Sequence, residues 1–311
     1  MTIKLPKLIA TSVVRGSQQG ESHGGVFTID FEAQTVEQHI DWNTSDIDFE
    51  GRGADRGLRG IDFDGNTIYI AASDELFSYT ADFEANQCWR NRYLKHAHEI
   101  CRMKRTIFVT STGYDSLLAF DLDQQAFVWG FHLQKNAGSW SGTTFDPRSE
   151  YGPGPVNEHH INMVHVDQTG IYLSGLKTGA LLYITSNNDV KVVCDLPRGT
   201  HNARPFKDGV LFNDTASDCV RFVSRSEGQR AFPIPTYDPA EITFAGIDDS
   251  NVARQAFGRG LCIYGEHFVV GGSSPSTISM YDLRSGEKVA SVNMSMDIRN
   301  AIHGLELWPY E

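Results

Sequence analysis

Short β-rich runs recur along this chain in a fixed order about every 40 residues, and no other feature constrains its fold as strongly. Five segments overlay: LRGIDFDGNTIYIAAS, AHEICRMKRTIFVTST, INMVHVDQTGIYLSGL, THNARPFKDGVLFNDT and GRGLCIYGEHFVVGGS. In each, a short first strand passes through a turn into a stronger apolar strand. A third strand follows (LFSYT, LLAFDL, LLYIT, ISMYDL), then a fourth (CWRNRYL, AFVWGFHL, VKVVCDL, QRAFPI, KVASVNM). Gly, Asp, Asn or Ser bound most runs, and no window of ten or more residues carries helical apolar spacing. The pattern predicts an all-β chain of four-stranded propeller blades.

Both chain ends complete the ring. The C-terminal IHGLELWP reads as a first strand without successors, and KLIATSVV, GVFTIDFE and TVEQHIDW read as strands two to four without a first. Pairing them makes a sixth blade and removes open sheet edges, the usual hazard of a β-rich chain. The expected fold is a six-bladed β-propeller forming one domain over 1–311. Its blades fall near 58–95, 96–134, 160–197, 199–235, 258–294, and 300–311 with 7–43.

Composition narrows the function classes. With 40% apolar and 11% aromatic residues the chain can fill a sizeable core. Lys plus Arg is 27 and Asp plus Glu 39, a formal charge of −12, which argues against nucleic-acid or anionic-membrane partners. No run of about 18 apolar residues occurs, and the start carries no secretory pattern, so the expected location is cytoplasmic. Five scattered cysteines without a C-x-x-C pair fit reduced thiols rather than a thiolate zinc site.

Three connections exceed hairpin length: 41–57, 135–159 and 236–258. Rich in Gly, Pro, Asp and Ser, they read as loops on the face where inner strands begin. They would cover a site there, and 135–159 and 236–258 offer a surface to a protein partner.

Anchoring each blade on the first residue of its second strand (Ile68, Ile107, Ile171, Val210, Phe268) places Arg59, His98, Asn162, His201 and Arg259 nine residues earlier. His303 takes the sixth place through the Gly-Leu pair shared by RGLC and HGLE. None is apolar, although inner strands should pack. His98, His201 and His303 fall on alternate blades, so their imidazoles would converge on the axis. Three imidazole nitrogens at about 2.0–2.1 Å suit Zn²⁺ with one open position, and also Fe, Mn, Ni or Cu. His160 is a candidate fourth ligand or proton carrier, and His159 a solvated loop residue. Arg59 and Arg259, with Asn162 and Arg204, would hold a small anionic molecule through forked hydrogen bonds. Structural pairing, for example with Glu99 or Glu158, is the alternative for the two arginines.

The pattern over 58–311, with H-x-N-x-V at 160–164, T-H-N-A-R-P at 200–205, G-R-G-L at 258–261 and the closing H-G-L-E-L-W-P, resembles bacterial six-bladed propeller proteins of unknown function. In architecture the three-histidine ring with nearby arginines is similar to the peptidylglycine α-amidating lyase domain, which holds zinc on three channel histidines and cleaves a carbon–nitrogen bond. That resemblance implies His98, His201 and His303 as ligands and Arg59 or Arg259 as the carboxylate anchor; the disulfides of that family have no counterpart here. The gluconolactonase and regucalcin group is a relative by fold, but of its acidic and Asn ligands only Asn162 has a match.

Three readings follow: a metal-dependent lyase or hydrolase acting on a small anion, a non-catalytic interaction propeller, and a metal-dependent oxidase or oxygenase. Fold alone does not choose among them.

Overall fold

The computed structural model describes residues 4–43, 57–244 and 254–310. Its strands assemble as the repeat predicts. The last strand of the chain, β25 (Asn300–Leu307), pairs with β1 (Lys7–Val14), followed by β2 (Gly25–Asp30) and β3 (Thr35–Asp41). A second sheet runs β4 (Leu58–Asp64), β5 (Thr67–Ala72), β6 (Glu75–Thr80), β7 (Ala85–Arg90). The third is β8 (Ala97–Met103), β9 (Thr106–Ser111), β10 (Ser116–Asp121), β11 (Ala126–Asn136) and β12 (Ser139–Phe145). The fourth comprises β13 (Ile161–Val166), β14 (Ile171–Gly175), β15 (Ala180–Ile184) and β16 (Val190–Asp195). The fifth has β17 (Thr200–Phe206), β18 (Gly209–Asp214), β19 (Cys219–Ser224) and β20 (Gly228–Pro233), and the sixth β21 (Arg259–Tyr264), β22 (Phe268–Ser273), β23 (Thr277–Asp282) and β24 (Lys288–Asn293). These antiparallel sheets are the blades of a six-bladed β-propeller. Among the described residues the one helical element is a 3-10 turn, Thr112–Tyr114.

Burial follows strand order for a physical reason. First and second strands have neighbours on both faces and are mostly buried, whereas outer strands such as β3 and β16 are mostly exposed. The hairpin joining first to second strands repeats one backbone conformation: Gly65, Lys104, Lys207 and Gly265 have φ of +58°, +55°, +50° and +58°. Tight hairpins need a left-handed residue, because their turn must match strand twist.

The chain divides into two compact units, Met1–Arg59 with Lys207–Glu311 and, separately, Gly60–Phe206. In the first, Leu8, Ala10, Ile29, Phe31, Cys262, Val270, Ile278, Met280, Ile302 and Leu305 form one apolar cluster. The second unit holds two clusters, one centred on Leu76, Ile107, Val109 and Phe120, the other on Leu117, Phe131, Leu173 and Leu182.

One expected loop is partly strand. Within 135–159, β11 continues to Asn136, turns through Ala137 and Gly138 (φ +49° and +86°) and returns as β12, adding a fifth strand to its sheet. Residues 146–159 remain irregular, and parts of 41–57 and 236–258 lie outside the described residues. No helix among the described residues is long and apolar enough to cross a membrane.

The β1–β25 ladder joins the two ends of the chain, with Leu8 facing Leu307 and Ser12 facing Ile302. Ile302 is fully buried in the first unit's cluster. Ile302→Ala should cost about 2–5 kcal/mol in urea unfolding, far more than the same truncation at exposed Val36.

Candidate functional site

The first strands carry the candidate residues, and their regular pairing breaks there. Register shifts fall between Ala97 and Ile100, between Ile161 and Met163, between Arg259 and Leu261, and where β25 passes β1 at Ala10 and Ser12. A bulge re-aims side chains that strict alternation would send to the other face. All six aligned residues are buried: Arg59 is 0% exposed, His98 5%, Asn162 3%, His201 3%, Arg259 6% and His303 3%. A buried polar group needs a partner, so the partners of these side chains define their chemistry.

Second strands supply part of the support. Thr11 on β1 donates its hydroxyl to Arg59 O at 2.5 Å and accepts from Gly304 N at 2.8 Å. Thr110 on β9 accepts from the backbone N–H of both His98 and Glu99. Asn213 on β18 donates to Gly260 O, and Thr112, just past β9, to Ile161 O. Small polar residues recur near the ends of second strands (ATS, VTST, YLSG, FNDT), a signal the repeat alignment passes over.

In the first unit, Arg259 Nη1 lies 2.6 Å from His303 Nε2. A guanidinium only donates, so His303 accepts at Nε2 and, when neutral, carries its proton on Nδ1. Phe257 gathers cations: the guanidinium carbons of Arg259, Arg254 and Arg15 stand 4.6, 5.1 and 6.0 Å from its ring centroid. Arg254 is also paired with Asp218. Arg15, buried like Arg259, was missed from the sequence because it lies on a turn rather than an inner strand.

In the second unit, His98 Nδ1 is 2.8 Å from both His96 O and Thr112 Oγ1. Thr112 gives its one proton to Ile161 O, and a carbonyl only accepts, so His98 holds its proton on Nδ1 and its lone pair on Nε2. His201 repeats this with Gly199 O at 3.0 Å. His160 sets Nδ1 against Asn157 Oδ1 at 3.1 Å, and its ring meets that of His98 edge to face at 5.3 Å. Among the described residues neither Oδ1 nor Nδ2 of Asn162 has a hydrogen-bond partner, nor does Ser174 Oγ on the adjoining strand. Glu99 accepts from Asn202 Nδ2 at 3.0 Å.

One expectation needs correction. His159 is not solvated: it is buried against Trp140, and burial lowers its pKa. Its backbone N–H, with those of Glu158 and His160, is held by the Asp115 carboxylate, which fixes this stretch ahead of β13. Arg204 lies three residues beyond His201, where its charge acts on His165. Among the described residues no group of three or more His, Cys, Asp or Glu side chains is gathered as metal ligands are. The five cysteines form no disulfide.

Burial, with the nearby Arg204 charge, pushes the His165 pKa from 6.5 down to about 4. Between those values the unfolded chain binds more protons than the folded protein, so stability falls as pH drops from 6.5 to 4 and levels off below. The ceiling is about 3 kcal/mol, and His23 and His159, also lowered by burial, steepen the slope. Denaturant unfolding across this range should show the loss, reduced in His165→Asn; histidine NMR should find His165 neutral down to about pH 4.

No family model and no curated protein matches the sequence. Solved structures match at the level of fold. A chain of a nidogen/laminin complex aligns with TM-score 0.58 and 9% identity over 96% of this chain and 97% of its own. A protein of unknown function from Bacteroides caccae gives TM-score 0.58 and 11% identity over 97% and 98%. The WD40 repeats of RRP9 give 0.50 and 10% over 78% and 65%. The chain shares the β-propeller fold with these distant neighbours.

Proposed function

We propose that the protein binds a small anionic molecule at its buried inner-strand residues and acts on it as a hydrolase or lyase. One observation carries this reading: two buried guanidiniums of the first unit, Arg15 and Arg259, lie over the same ring, Phe257, and Arg259 also donates to His303. Away from water each charge acts at longer range, and planar guanidinium forks match carboxylate or phosphate. In a chain of net charge −12, such a positive patch favours an anion over any other ligand. Arg259 would anchor the anion, with Arg59 buried in the same unit. His303 would answer a change in substrate charge through its Nδ1–H. Taken by itself, the second unit offers the Asn162 carboxamide, which has no hydrogen-bond partner among the described residues and suits a polar ligand group.

A second reading, a metal bound by imidazoles, is favoured by the orientation of His98 and His201. Each gives Nδ1–H to the carbonyl two residues earlier and keeps Nε2 as a ligand atom, an arrangement usual in metal-binding histidines. His303 departs from it, because Arg259 donates to its Nε2. A bound zinc would polarise a substrate oxygen or lower the pKa of water towards ~7. Elemental analysis of untagged protein decides: less than about 0.2 equivalents of transition metal after reconstitution removes this reading.

Titration calorimetry with a panel of small carboxylates and phosphates tests the anion. At least one should bind, and Arg259→Gln should weaken it about 10- to 100-fold, the worth of one charge-assisted hydrogen bond. Binding that is absent across the panel, or equal in the variant, would refute the proposal.

A further inference from the structure

A cleft of about 710 Å³ opens in the first unit where the chain enters β1 and leaves β25. Arg259 opens β21 and Tyr264, which lines the cleft, closes it, so about 16 Å of strand separates the two. The volume falls within the range of about 300–1,000 Å³ usual for small-molecule sites.

The walls are aromatic and held in place. Trp308 and Tyr310 set their ring centroids 4.9 Å apart with planes at 87°, an edge-to-face corner. The Trp308 backbone N–H donates to Lys7 O at 3.0 Å, and Tyr264 donates its hydroxyl to Lys4 O at 3.0 Å. Leu5, Tyr264 and Leu307 also pack on the apolar cluster that contains Ile302 and Leu305. All three rings are half-buried, so they keep surface toward solvent while the core sets their positions.

The charged lining is balanced. Lys4 and Lys7 bring two positive charges, Asp30 and Glu32 two negative ones. Lys7 Nζ pairs with Asp30 Oδ2 at 3.5 Å, and Asp30 Oδ1 accepts from the backbone N–H of Ala33 and Glu32 at 2.9 and 3.0 Å. These bonds, that from Ala33 foremost, hold the Asp30 carboxyl below its ordinary pKa, so it is ionised at neutral pH.

This combination selects a ligand class. An anion meets two carboxylates here and a cation two ammonium groups, so net charge gains neither of them much. An alkyl chain would use the rings but would desolvate the charged groups without replacing their hydrogen bonds. A hydroxyl both donates and accepts, and neighbouring ammonium and carboxylate groups satisfy it in both senses. Aromatic faces are electron-rich and attract the weakly positive C–H face of a sugar ring. A small zwitterion would match the charges but has no such face to lay in the Trp308–Tyr310 corner.

We propose that this cleft is a carbohydrate site, taking a neutral sugar of one or two rings with its C–H face on Trp308 and Tyr310 and its hydroxyls on Lys4, Lys7, Asp30 and Glu32. The site is separate from the buried arginines and does not rest on the anion reading.

The full chain is titrated with glucose, maltose, cellobiose, lactose and N,N′-diacetylchitobiose, with p-hydroxybenzoate and glycylglycine as charged comparisons, and followed by calorimetry and saturation-transfer NMR. We expect at least one neutral sugar to bind with a millimolar or tighter Kd and to receive saturation at its ring C–H protons. Trp308→Ala should weaken that sugar about tenfold or more, as loss of an aromatic anchor does, whereas Trp308→Phe should retain most of the affinity. Should Trp308→Ala not fold, Tyr310→Ala, which lies outside any strand, makes the same test. Absence of sugar binding by folded protein at millimolar concentration, binding of glycylglycine or p-hydroxybenzoate alone, or a sugar affinity unchanged by the aromatic truncation overturns the proposal.

Discussion

The pairing of β25 with β1 is the constraint on which the closed fold depends. It joins segments about as far apart in sequence as the chain allows; the hydrogen bond from Gly304 N to Thr11 Oγ1 spans 293 residues. Until it forms, the two strands present unpaired edges, and the loop-closure entropy goes uncompensated. Once formed, it buries Ile302 and Leu305 among Leu8, Ala10 and Ile29. It also places His303, because the register shift beside Thr11 is what carries that imidazole inward to Arg259. Closure and candidate chemistry share one ladder.

Burying polar side chains on strands that could have been apolar has a cost, and hydrogen bonding offsets it with particular geometry. His98 is held by a carbonyl and a threonine whose own proton is committed elsewhere, so its tautomer has no freedom. His201 is oriented by a carbonyl in the same way. Such fixed donors and acceptors are pre-organised, which a site for small polar molecules requires and a merely apolar core does not.

Much of the fold was legible because a repeat averages over local ambiguity. The predicted starts of second strands at Ile171 and Phe268 coincide with those observed, and Ile68, Ile107 and Val210 fall one residue inside β5, β9 and β18. All six polar residues found by alignment are buried. Their bulges were not legible, since a period-two pattern assigns faces only while pairing is regular. The fifth strand β12 was obscured by the Gly- and Ser-rich stretch around it, although Ala137–Gly138 is a two-residue hairpin turn of the kind alternating strands need. Arg15 escaped because it lies on a turn, outside the inner strands that the repeat brings into register.

Equivalent positions in the repeat share burial but not chemistry. At the inner-strand position, β8 and β17 hold histidines whose Nδ1–H is taken by their own backbone, whereas β25 holds a histidine that accepts from Arg259, the residue at the corresponding position of β21. Alignment therefore identifies the set of residues that lie inside, while the neighbours of each decide which nitrogen bears a proton and which can bind. The three histidines, alike in sequence register, divide into two that offer Nε2 and one that offers Nδ1. Ligation by His303 at Nε2 would need that ring to exchange its arginine for a metal. An anion drawn to Arg259 would meet a planar fork of N–H donors, the geometry that carboxylate and phosphate oxygens match.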